Sequence, residues 1–130
     1  MKQISARIAL TTFALVLATP LVVLAAGSHD HSPKFGGIVA EGKAFDAELV
    51  ATPDLITLHV FDHGKPMSTK GAKGKVTLLT GADKAEIELL PSGASSMEAK
   101  GKFNVSKGTK AVAEITLEGK KPRSVRFVLK

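Results

Sequence analysis

The stretch Ala44-Phe45-Asp46-Ala47-Glu48-Leu49-Val50-Ala51-Thr52-Pro53-Asp54-Leu55-Ile56-Thr57-Leu58-His59-Val60-Phe61 decides the fold. From Ala44 to Ala51, Phe45, Ala47 and Leu49 face one way and Asp46 and Glu48 the other. That period of two belongs to a half-buried strand. Thr52-Pro53-Asp54 is a turn, with proline fixing φ at the first central position. Leu55 to Phe61 is apolar on both faces, with Ile56, Leu58 and Val60 opposite Leu55 and Phe61, which marks a central strand.

Working outward, the same grammar repeats. Gly36-Gly37 leads into a short edge strand at Ile38–Ala40, and Asp62-His63-Gly64-Lys65-Pro66 is a turn in which Gly64 supplies positive φ. A basic loop spans Lys70 to Lys75. Val76–Thr80 and Ala85–Leu90 form a hairpin across Gly81–Lys84, and Pro91–Ser96 is a polar loop. Met97–Phe103, Ala111–Leu117 and Ser124–Leu129 are three further strands, the last with Val125, Phe127 and Leu129 inward and Arg126 outward. No stretch beyond the N-terminal segment carries a helical period. Seven or eight short strands with turn signals every ~8–12 residues predict an all-β, antiparallel β-sandwich of immunoglobulin-like architecture, with a small closed barrel as the alternative.

The N-terminal segment differs in kind. Lys2 and Arg7 precede an apolar run from Ile8 to Leu24, followed by the small residues Ala25-Ala26-Gly27, the pattern of a secretory signal peptide. Cleavage after Ala25, Ala26 or Gly27 fits the small-residue rule. The expected organisation is therefore a signal peptide over 1–26, a flexible histidine-containing arm over 27–36 and one β domain over 37–130. It places the protein in the bacterial periplasm or outside the cell, with no transmembrane segment after cleavage and monomer as the default.

Composition narrows the chemistry. The chain has 130 residues, 18 basic and 12 acidic side chains, a net charge of +6, and no Cys, Trp or Tyr. Without Lys2 and Arg7 the charge is 16 − 12 = +4. About 105 mature residues support one core and no interdomain cleft. The missing cysteines exclude disulfides, thiolate metal sites and thiol catalysis. No nucleophile motif and no phosphate-cradling loop is present, so an enzyme is not expected. Asp46, Glu48, Glu86, Glu88 and Glu114 read as solvated strand faces. The lysines are scattered, and the mature chain's five phenylalanines, 35, 45, 61, 103 and 127, mostly occupy core-like positions, which argues against nucleic acid.

The histidines remain. His29-Asp30-His31 places two imidazoles around a carboxylate, a donor set suited to Zn(II), Cu(II) or Ni(II). Cleavage after Ala26 would give Gly27-Ser28-His29, whose amine, two amides and imidazole form a square-planar set for Cu(II) or Ni(II). His59 and His63 would stand ~13 Å apart along one strand, too far for one ion. An arm reaching ~33 Å extended can instead bring His29 or His31 to His63, with Asp62 or Met67 completing the site. Met97 reads as core.

The run His29-Asp30-His31-Ser32-Pro33-Lys34-Phe35-Gly36-Gly37-Ile38-Val39 resembles the opening of small proteobacterial periplasmic proteins similar to the N-terminal modules of heavy-metal efflux periplasmic adaptors. The resemblance continues through Glu48-Leu49-Val50-Ala51, Pro53-Asp54-Leu55, Asp62-His63-Gly64-Lys65-Pro66 and Ser124-Val125-Arg126-Phe127. More distantly, the Asp-x-x-Gly-Lys-Pro turn is similar to that of exported YtkA/FixH-like β-sandwich domains. The resemblance implies a metal ion and an envelope efflux component as partners. Phe35 stands where those proteins often carry His, and His59 where they commonly carry an aromatic. The expected function is transition-metal binding or buffering through His29, Asp30, His31, His63 and Met67. The alternative is a metal-independent interaction module using sheet edges or the basic loop at Lys65–Lys75.

Overall fold

In the computed structural model, which describes residues 31–130, the alternating runs become a nine-stranded antiparallel sheet. The strands are β1 Ile38–Glu41, β2 Asp46–Ala51, β3 Leu55–Asp62, β4 Lys65–Pro66, β5 Lys73–Thr80, β6 Asp83–Ser92, β7 Ser96–Lys100, β8 Lys110–Thr116 and β9 Arg123–Val128. The expected signal peptide, its cleavage positions, and His29 and Asp30 lie outside the described residues. No helix occurs among the described residues, and hence none long and apolar enough to cross a membrane.

The order across the sheet is β1-β2-β3-β7-β6-β5-β8-β9, with β4 folding back on β3. β6 joins two halves. It pairs with β5 along Asp83–Leu89 but with β7 only along Leu90–Ser92, where Pro91 sits opposite Met97. Beyond those three rungs the two strands part, and the sheet curls until its terminal strands meet. A Cβ added to Gly42, just past β1, would stand 3.1 Å from the Val125 Cγ2 of β9. The all-β antiparallel class is as expected, in a sheet that is nearly barrel-shaped.

The inward rows fill the interior. Phe45, Ala47 and Leu49 pack against Ile56, Leu58 and Val60, and against Val76, Leu78, Leu89, Met97, Ile115, Val125 and Phe127. Met97 is completely buried and seated over Gly74, where an added Cβ would come within 3.0 Å of its Cε. β3 is flanked by β2 and β7, which explains its apolar inner row.

Several boundaries differ from the sequence expectation. The β5–β6 turn is tighter, closing at Thr80↔Asp83 around Gly81-Ala82. β6 runs on through Pro91 to Ser92, and β5 begins at Lys73 inside the basic loop. β4 was not foreseen because two residues show no period. It forms because His63 (φ 48°) and Gly64 (φ 84°) both adopt left-handed backbone between the paired Asp62 and Lys65. This is the twist-matched two-residue hairpin turn.

Candidate functional site

Glu48 was expected on a solvated strand face, and the structure buries it. Glu48 is 0% exposed. The register aligns Val39, Glu48, His59 and Ser96 in one row across β1, β2, β3 and β7. The chain entering β1 crosses over that row. Glu48 Oε1 accepts hydrogen bonds from the Phe35 and Gly37 N–H groups at 2.8 and 2.9 Å, and Oε2 from the Lys34 N–H at 2.8 Å. One carboxylate thus gathers three backbone donors.

Gly37 is fixed by this closeness. A Cβ there would lie 2.3 Å from the Leu49 carbonyl oxygen. Phe35 is half-exposed, not in the core, and lies flat on His59 with ring centroids 3.7 Å apart and planes 7° from parallel. Lys34 reaches over Phe61, 5.2 Å from the ring centroid, and its Nζ donates to the Gly64 carbonyl at 3.2 Å.

The electrostatics follow from this packing. Burial by itself would raise the Glu48 pKa. The donors from Gly37, Lys34 and Phe35, together with His59, outweigh it and hold the carboxyl below its usual range. Burial beneath Phe35 lowers the His59 pKa, and the Glu48 carboxylate offsets only part of that. The ionised carboxylate and the neutral imidazole are the favoured pair.

This clamp sets where the preceding histidine goes. His31 stands at the rim with Nε2 2.9 Å from Glu41 Oε1. It lines a shallow depression with Lys34, Asp46, Glu48, Phe61 and Gly64. His63, next to Gly64, has Nδ1 2.6 Å from Asp62 Oδ1. A neutral His31 donating Nε2–H to Glu41 would carry its lone pair on Nδ1, and a neutral His63 donating Nδ1–H to Asp62 would carry its own on Nε2. A carboxylate fixing one ring nitrogen is how metal-binding imidazoles are oriented.

His31 and the Asp62–Gly64 turn therefore share one end of the barrel. The Met67 side chain is partly buried and packs against the core. Among the described residues, no three His, Asp or Glu side chains converge on a single point. Sequence reasoning missed Glu41, which lies opposite Asp46 in the β1–β2 ladder on the same rim. It also missed the Glu48 clamp. The available signal for the clamp was Leu55 and Phe61 on the outer row of β3, apolar side chains that call for a cover. No known protein family, curated protein or solved structure matches the chain.

Proposed function

We propose that this protein is a periplasmic binder or buffer of a divalent transition-metal ion, Cu(II), Ni(II) or Zn(II), and not an enzyme. The ion is held by the arm histidines together with His63 at the Asp62–Gly64 rim. The observation that carries this reading is the Glu48 clamp, which lays Lys34–Gly37 across the sheet and so leads His31 to the depression that Gly64 also lines. His29 and Asp30 immediately precede His31 and supply further donors of the same class. Imidazole must be neutral to bind, so affinity falls with acid below the ordinary histidine pKa of about 6.5.

The resemblance to efflux-adaptor modules extends the proposal to an accessory role in heavy-metal export. The two half-sheets joined through β6 fit an immunoglobulin-like sandwich as the finer description of the fold. A metal-independent interaction module draws support from the exposed Leu90 and Val128.

Calorimetric titration of each of the three ions into the exported protein tests the reading. Binding stronger than millimolar is expected, weakened by His29→Ala/His31→Ala and by His63→Ala. No binding better than millimolar, or equal binding by all variants, would exclude this site.

A further inference from the structure

The same end of the barrel, at the β1–β2 turn, holds a second feature that involves no histidine. A cavity of about 290 Å³ opens at the turns β1–β2 and β8–β9. Its floor is apolar: Phe45, Ile115 and Leu117 are buried there, and Met67 forms part of the wall. Its mouth carries Lys120, Lys121 and Arg123. The β8–β9 register pairs Arg123 with the buried Ile115, which puts this cation on the core-facing side of the sheet. Among the described residues, none of the three cations makes an ion pair. Glu118, the one acid of the 117–122 connection, instead lies against Gly71, within 3.0 Å of where a Cβ would stand.

We infer that this cavity binds a single-chain fatty-acid carboxylate. The acyl chain lies on Phe45, Met67, Ile115 and Leu117, and the head group is held at the cationic mouth. Arg123 is exposed at the apolar opening, and its planar fork matches a carboxylate with two parallel hydrogen bonds. The volume lies just below the ~300–1,000 Å³ typical of ligand pockets, which suits one acyl chain and not two. Barrel mouths are favoured places for such ligands.

Dodecanoate, kept below its micelle concentration, is the probe, titrated calorimetrically into the full exported protein. Dodecyltrimethylammonium carries the same chain with the opposite charge. Saturable one-to-one binding of dodecanoate is expected. Removing the cations with Lys120→Ser/Lys121→Ser/Arg123→Ser should weaken it at least about tenfold, the worth of one charge-assisted hydrogen bond. Ala44→Trp, at an exposed position on the mouth, should abolish it by filling the entrance. Circular dichroism checks that each variant is folded. Unsaturable heats, undiminished affinity in the folded triple variant, or equal binding of the cationic amphiphile would overturn the inference. None of these outcomes depends on metal binding.

Discussion

Replacing Glu48 by glutamine removes one charge and one acceptor oxygen from the clamp and changes little else in volume. In the native site Oε1 serves two N–H groups and Oε2 serves one, all at 2.8–2.9 Å. The glutamine oxygen can keep two of these donors as neutral hydrogen bonds, while its NH₂ faces the third. Losing one bond to a charged acceptor costs about 1.5–3 kcal/mol, and the two survivors weaken. The expected destabilisation is about 2–3 kcal/mol, a fall in Tm of roughly 8–24 °C for a domain of this size. Thermal unfolding by circular dichroism reads the total, and hydrogen exchange at Lys34, Phe35 and Gly37 reads the arm. A Tm within about 2 °C of wild type, with unchanged protection at those amides, would refute the clamp.

The acid dependence has a definite sign. The Glu48 pKa is lowered on folding, so its stabilisation is fully present above the unfolded value of about 4.3 and is lost as pH falls through the folded value. The His59 pKa is also lowered, so stability is lost as pH drops from about 6.5 toward its folded pKa. Wild type should weaken in two stages. Glu48→Gln should lack the second stage and show a larger first one, because the carboxylate that raised the His59 pKa is gone.

Phe35→Ala should rehydrate His59 and move its pKa up toward the ordinary value, as read by NMR titration, with a stability loss of about 0.5–1.5 kcal/mol for the stack. His63→Asn should relieve the left-handed backbone and leave the fold as stable or up to about 1 kcal/mol more so, while weakening metal binding; denaturant unfolding and metal titration on one sample separate the two effects. Gly37→Ala should destabilise by more than about 2 kcal/mol, because the new Cβ meets backbone at Leu49. By contrast, Gly81→Ala, which meets open space, should cost about 1 kcal/mol for its positive φ.

The inner half of this fold is written plainly in the chain. Alternation grouped Phe45, Ala47 and Leu49 on one face and Val125, Phe127 and Leu129 inward, and the core holds them all; β3 read as apolar on both faces, and its register with β2 makes Ile56, Leu58 and Val60 the inward row. The outer face was harder to read. An outward Glu on a strand is ordinarily solvated, and only the folded path of Lys34–Gly37 makes Glu48 an acceptor instead. Phe35 reads as core by its type but serves as a cover. The path of the arm depends on pairing residues 11–14 positions apart, information no local pattern carries. His63 was legible as a turn residue. That it stands at the same barrel end as His31 follows only from the strand register and the clamp.

The most direct test of the metal-binding account is the imidazole nitrogen spectrum of the protein without its first 26 residues during addition of Zn(II). The resonances of His31 and His63 should shift together and saturate at one equivalent, while those of His59, stacked on Phe35, stay in place. A titration in which His63 does not respond, or in which no imidazole responds, would contradict a site at the Asp62–Gly64 rim.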